Sequence, residues 1–398
     1  MYLRKVVMLN LFASLTMSQE QLGSDIDGEA AEDISGYDVS LDSDGDRVAI
    51  GALKNDGNGS DAGHARIYSW DGSSWYQLGS DIDGEAAGDQ SGILSLDSDG
   101  DRVAIGAFLN DGNGSDAGHA RIYSWDGSSW NQLGSDINGE AAGDQSGASV
   151  SLDSDGDRVA IGAYLNDGSG SDAGHVRIYS WDGSSWNQLG SDIDGEAAGD
   201  YCGYDVSLDS DGDRVAIGAY LNDGNGSDAG HARIYSWNGS SWNQLGSDID
   251  GEAAGDNSGV SVSLDFDGDR VAVGALKNDG NGSDAGHVRI YSWDGSSWNQ
   301  LGSDTDGEAA GDRFGISVSL DSDGDRVAIG AYLNDGNSGH VRVYNAFGVK
   351  ISGNAGFRML SSPVSNNTYA DLLSELWTQG MTGSDAPEAS GDNVWTWT

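Results

Sequence analysis

Cysteine occurs once in 398 residues, at Cys202, so no disulfide can form within the chain and stability must come from elsewhere. Proline occurs only twice, and basic residues number 19 against 65 acids. The formal charge of −46 excludes nucleic acid and anionic membrane as partners, because their phosphates would be repelled. It favours solubility and the binding of cations. Long apolar runs are also scarce. The N-terminus, "MYLRKVVMLNLFASLTMSQE", places Arg4 and Lys5 before an apolar core from Val6 to Leu15, followed by the small residues Thr16 and Ser18. That order reads as a secretory signal over 1–18. Its core is too short to span a membrane and no later segment could. The expectation is therefore a protein that is secreted or held at the cell surface. Acidic chains are often disordered, but disorder needs few aromatics and no periodicity. Thirteen Trp and fifteen Tyr recurring in register exclude it.

What the chain has in abundance is repetition. "GDRVAIGA" begins at Gly45, Gly100, Gly156, Gly212 and Gly324, and "GDRVAVGA" at Gly268, at spacings of 55, 56, 56, 56 and 56. Six units of this period point to a propeller or a solenoid. Each unit holds four runs of strand character, which in the third are "ASVSLD", "RVAIGAYL", "HVRIYSW" and "SSWNQLG". "DSDGDR" is a tight hairpin signal between the first and second, and "WDGSSW" joins the third to the fourth. Along "VAIGA", Val159, Ile161 and Ala163 point one way while Ala160 and Gly162 point the other. A bulky face and a flat one let neighbouring sheets nest. The reading is all-β, a propeller of about six four-stranded blades over 19–345, with seven blades kept open. The chain enters on a fourth-strand segment and the sixth unit stops after its third strand. A closed ring is expected, with residues 19–24 pairing beside His340 to Tyr344; Phe347 to Ile351 is the competing fourth strand. Residues 346–398 leave the repeat and read as a short β-rich extension, the start of a truncated module.

"FGISVSLDSDGDRVAIGA", from Phe314 to Ala331, resembles an FG-GAP repeat, the unit of the integrin α-chain propeller. The Phe-Gly pair survives only at Phe314–Gly315, while Gly-Ala is present in all six units. The resemblance implies an extracellular propeller of the adhesion type, for which seven blades are usual. "SWDGSSW" is similar to the Asp-box, a structural hairpin motif of sialidase-type and other propellers. There the Asp caps the turn and the Trp packs beneath it.

Three acidic loops recur. "DIDGEAAGD" (Asp192, Asp194, Glu196, Asp200) spaces oxygens at positions 1, 3, 5 and 9, as a hard cation requires. "DSDGD" (Asp153, Asp155, Asp157) stands where FG-GAP repeats bind calcium, though it is shorter than their loop. "NDGNGSDAG" (Asp223, Asn225, Asp228) joins the second and third strands. Calcium bound by these residues and their repeat equivalents is one reading; a solvated acidic surface with capped turns is the other. The six histidines (His64, His119, His175, His231, His287, His340) open the third strands. Spread around a ring they cannot converge on one metal, so a structural hydrogen bond is expected. Repeated arginines such as Arg158 and Arg177 read as internal salt partners, and tryptophan pairs such as Trp181–Trp186 as packing. Cys202 fills a slot that Ser35, Ser91, Ser146 and Ser258 fill elsewhere, and reads as a small buried residue. Residues specific to one repeat are few: Lys54, Cys202, Phe266, Lys277 and Arg313. None makes an acid–base pair, so no catalytic residue is assigned. The functional expectation is a monomeric, non-catalytic binding or adhesion propeller recognising an extracellular glycan or protein. A glycan-processing, sialidase-like enzyme and a purely structural surface protein are the alternatives, since propellers host all three.

Overall fold

The computed structural model describes residues 21–345. The expectations for the signal over 1–18 and for the extension over 346–398 lie outside the described residues. Everything described is strand and turn, apart from one four-residue helical turn at Asn334–Asn337.

The third repeat shows how a blade is made. Its strands are Ser149–Leu152, Arg158–Ala163, His175–Trp181 and Trp186–Gln188. They pair antiparallel in that order, and a two-residue strand, Ile193–Asp194, returns to the third strand beyond the end of the fourth. The first hairpin closes because Asp153 Oδ1 accepts from the backbone N–H groups of Asp157 and Arg158, at 2.9 and 3.0 Å. Gly156, at φ +62°, makes the turn that a side chain would resist. The second hairpin closes in the same style. Asp182 Oδ1 accepts from the N–H groups of Ser184 and Ser185 at 2.8 and 2.9 Å, and Trp181 faces Trp186 across the strands. Five blades repeat this plan; the sixth shows three described strands, Phe314–Leu320, Arg326–Ala331 and His340–Asn345.

The core lies between blades rather than within them. Val159 and Ile161 pack back on Ala104, Ala120 and Ile122 of the second blade. Ala160, Val176 and Ile178 pack forward on Val206, Val215 and Ile217 of the fourth. Each fully buried Val or Ile contributes roughly 1.5–3 kcal/mol, so every boundary is a small hydrophobic core. The flat face allows a close approach. A Cβ on Gly162 would lie 2.0 Å from the carbonyl oxygen of Gly203, so only glycine fits.

Polar stitches run beside the apolar ones. The innermost strands are bridged by serine: Leu152 N–H donates to Ser95 Oγ, Leu208 N–H to Ser151 Oγ and Leu264 N–H to Ser207 Oγ, at 2.9–3.0 Å. At the turn end of those strands a chain of backbone bonds passes from Ser43 through Ser98, Ser154, Ser210 and Phe266 to Ser322. Five boundaries are joined in this way. The boundary between the sixth and first blades carries none of these bonds among the described residues. Val39 and Leu41 on one side are 59% and 60% exposed, and Val341 and Val343 on the other 69% and 62%.

The expected pairing of the entering segment with His340 to Tyr344 is not made. His340–Asn345 pairs only with Arg326–Ala331 among the described residues, and residues 19 and 20 lie outside them. The segment is anchored on the first blade instead. Trp75 Nε1 donates to Leu22 O at 2.9 Å and Arg66 to Asp27 O at 2.8 Å, as Trp130 does to Leu78 O and Arg121 to Asp83 O one blade on. The anchoring half of a closure is present, and it holds the segment without help from the sixth blade.

Candidate functional site

The two faces of the propeller differ. On one, the "DSDGD" turns and the "WDGSSW" hairpins come together, with Trp181 N–H donating to Asp157 O at 2.8 Å. Asp42, Asp97, Asp153, Asp209, Asp265 and Asp321 circle the axis there. Their carboxylates are occupied in capping their own turns. Burial pushes Asp153 up to about 7, and Asp97 and Asp209 up to about 6. Asp155 is exposed and Asp157 half-buried.

On the opposite face "NDGNGSDAG" and "DIDGEAAGD" are knitted together. Asn225 Nδ2 donates to the carbonyls of Gly251 and Glu252 at 2.7 and 3.2 Å. Asn222 Nδ2 donates to the buried Asp200 at 3.0 Å, and Asp200 also accepts from Ala197 N–H. Asp223 accepts from the N–H of Asp228 in its own loop at 2.9 Å. The acids of "DIDGEAAGD" therefore part company. Asp200 turns inward as a cap, and Asp194 lends its backbone carbonyl to Arg233. Asp192 faces His175, whereas Glu196 faces His231 of the next blade.

That separation creates a second kind of site. Five groups, Glu29–His64–Asp81, Glu85–His119–Asp136, Glu140–His175–Asp192, Glu196–His231–Asp248 and Glu252–His287–Asp304, each bring three ligand atoms within 4.8 Å of one another. These repeated groups can hold a metal ion. In each, the glutamate comes from the segment entering a blade, while the histidine and aspartate belong to that blade. The expected histidine hydrogen bond is missing at Nδ1 of His64, His119, His231 and His287 and at Nε2 of His119, His175, His231 and His287, none of which has a partner. Each imidazole stands instead between two acids. Burial, and then the arginine two residues on, lowers His119, His175, His231 and His287 to about 4, so they are neutral near pH 7. Six histidines spread around a ring cannot share one ion, but the fold gives five of them acids of their own.

The repeated arginines are cross-boundary links. Arg177 donates to Asn138 O at 2.8 Å and lies 3.6 Å from Glu140. Cys202 is buried, and its thiol is pushed up to about 11 by that burial. Trp181 and Trp186 lie 5.4 Å apart, the latter donating to Leu133 O of the preceding blade.

At the axis, on the face of the knitted loops, stands a cluster that the repeat obscured. Tyr164, Tyr201, Tyr204 and Tyr220 touch ring to ring at centroid distances of 4.4–5.7 Å. Tyr37 and Tyr332 lie near enough to raise the ionisation of Tyr204, after burial, and are themselves exposed. Beneath them are Asp38 and Asp205, which stand where other blades have Ser149, Ser261 and Ser317. Asp205 accepts from Val262 N–H at 2.8 Å and Asp38 from Leu94 N–H at 2.7 Å. Burial raises both to about 6. These residues depart from the repeat at four separate positions: after the Gly-Ala pair (Tyr164, Tyr220, Tyr332), before the Ser or Cys slot (Tyr201), and at the two positions after the next Gly (Tyr37 and Tyr204, Asp38 and Asp205).

An FG-GAP repeat family model matches residues 192–235 and 303–344. No curated protein matches the sequence. Among solved structures the chain is similar to a 6-phosphogluconolactonase candidate from Bacteroides uniformis, at 12% identity and TM-score 0.54 over 77% of this chain and 80% of that one. It is also similar to the periplasmic gluconolactonase of Pseudomonas aeruginosa, at 13% identity and TM-score 0.49 over 77% and 88%. At 12% identity the first of these likenesses speaks for the fold alone. Among the described residues no helix is long and apolar enough to cross a membrane. The six blades and their shared register make this chain a β-propeller, and residues 192–235 and 303–344 of it match FG-GAP repeats.

Proposed function

We propose that this propeller is a non-catalytic binding or adhesion module, secreted or displayed at the cell surface. It takes an extracellular glycan or protein on the face of the knitted acidic loops. One observation carries the reading: on that face a cluster of tyrosines at the axis is surrounded by near-identical acidic and amide-bearing loops from successive blades. Aromatic rings offer a stacking surface with a polar edge, and carboxylates and amides offer hydrogen bonds to hydroxyl groups. A glycan supplies both partners, and a repetitive one would engage several loops at once through avidity. Calcium at the acidic loops belongs to the same reading, since exposed carboxylates such as Asp155 and Asp194 suit an oxygen-seeking ion.

The test is a glycan and matrix-protein array probed with and without calcium. Tyr201→Ala with Tyr220→Ala should abolish the signal, while a single change in one acidic loop should weaken it only gradually. Binding unmoved by the tyrosine changes would overturn the proposal. A second reading, glycan processing, draws on Asp38 and Asp205, two half-buried carboxyls held near pH 6 beneath the tyrosines. Turnover of chromogenic glycosides that disappears in Asp205→Asn would favour it.

A further inference from the structure

We propose that each Glu–His–Asp group at a blade boundary binds one divalent cation of the zinc class. Three ligands come from the protein, and a fourth position is left to water. The geometry repeats. In the second blade His119 Nδ1 lies 3.9 Å from Glu85 Oε2, and in the third His175 Nδ1 lies 3.8 Å from Asp192 Oδ2. In the first blade His64 Nδ1 faces both acids, 3.9 Å from Glu29 and 3.8 Å from Asp81.

Each carboxylate has one oxygen already held by a neighbour and the other turned to the imidazole. Arg121 lies 3.8 Å from Oε1 of Glu85, and Arg233 3.5 Å from Oε1 of Glu196. Gln188 donates to Oδ1 of Asp192 and Gln244 to Oδ1 of Asp248, both at 2.5 Å. Partners of this kind orient metal ligands before the ion arrives. The histidine is the independent sign. It is about 1% exposed in all five groups, yet its Nδ1 is unpartnered in four of them. A buried polar atom without a partner is costly, and a bound cation would satisfy it. Nε2 of His119, His175, His231 and His287 remains unpartnered in either state.

The donor set selects the ion. Calcium and magnesium seek shells built of oxygen, whereas imidazole with carboxylates suits zinc and its neighbours. Bonds of about 2.0–2.1 Å in a tetrahedron put ligand atoms roughly 3.4 Å apart. The 3.8–3.9 Å spacings therefore close by about 0.5 Å, and the remaining ones, which lie within 4.8 Å, by up to about 1.4 Å, movements open to half-exposed acidic side chains. His340 and Glu308 stand 3.9 Å apart at the sixth blade, and among the described residues no third ligand joins them. Because the glutamate enters from the preceding segment, each ion would pin that segment to the blade it enters.

The experiment uses the full chain, stripped with chelator and titrated with zinc in physiological salt and millimolar calcium. Heat of binding and metal content are both read. About five ions per chain are expected, with a fall of one in Asp248→Asn and of one in Glu196→Gln, which empties the same site. Both residues are partly exposed, so the variants should fold, and the circular dichroism of the metal-free proteins verifies this. Cobalt in place of zinc should give the visible absorption of a tetrahedral nitrogen–oxygen site, reduced by about a fifth in either variant. Fewer than two ions per chain, a count unchanged in both variants, or displacement of zinc by equimolar calcium would overturn the proposal. None of these readings depends on what the tyrosine face binds.

Discussion

Asp205 does the work that serine does in other blades, but it carries a charge. It accepts from Val262 N–H at 2.8 Å and from Ser149 Oγ at 3.2 Å, as Ser261 accepts from Val318 N–H at 3.1 Å. Burial raises it from 3.8 to about 6, against the pull of those hydrogen bonds. A carboxyl whose folded value is raised contributes stability in full below its unfolded value and loses that contribution as pH rises through the folded one. Asparagine keeps the acceptor and has no proton to lose. Asp205→Asn should therefore be at least as stable as the parent near neutrality. The parent alone should gain between about pH 6 and 4, by at most about 3 kcal/mol. The buried histidines oppose this trend over much of the same range, because they must charge on unfolding. They are present in both proteins, so the difference between two melting curves across pH isolates Asp205. A flat difference would show that this carboxyl is not held up.

At the scale of the element, the second strand of each blade is the hinge of the packing. Its bulky side chains face one neighbour, and its glycine receives the backbone of the other. At Gly162 a Cβ would meet the Gly203 carbonyl oxygen at 2.0 Å, and at Gly106 it would meet that of Gly147 at the same distance. At Gly330, in the sixth blade, the nearest atom to such a Cβ is 3.7 Å away. Gly162→Ala should cost at least the 1–3 kcal/mol typical of overpacking, and Gly330→Ala should be neutral or slightly stabilising. Thermal melting of the two variants reports directly on the boundary between the sixth and first blades. Equal losses would mean that this boundary closes in solution as tightly as the other five. The four strands of each blade were legible beforehand, because β-branched and aromatic runs alternate with Asp-Gly turns. The short Ile193–Asp194 strand was not, since two residues carry no period.

The whole molecule has to hold 65 acids together with 19 bases. Self-repulsion of this size opposes compaction, and monovalent salt screens it only over a Debye length of about 10 Å at 0.1 M. Ions bound to the folded state alone add stability by mass action. Calcium should therefore raise the melting temperature of chelator-treated protein more than sodium chloride does at matched ionic strength, with magnesium less effective because it demands a tight octahedron. Equal shifts from calcium and sodium would reduce the effect to screening.

The number of units, the strand plan of each blade, the flat and bulky faces and the FG-GAP likeness were all readable from local pattern. They depend on side-chain alternation and turn chemistry, which act over a few residues. Three things came only from the tertiary structure. Asp192 and Glu196 look like neighbours in one loop, yet each joins a histidine of a different blade, because the loop crosses a boundary between them. Tyr164, Tyr201, Tyr204 and Tyr220 come from the third and fourth blades and meet at the axis, where radial packing brings strand ends together. The missing contact between Val39 or Leu41 and Val341 or Val343 is a property of the full circuit of blades. No single repeat carries it, since every repeat presents the same two faces and the outcome depends on how their packing angles add up.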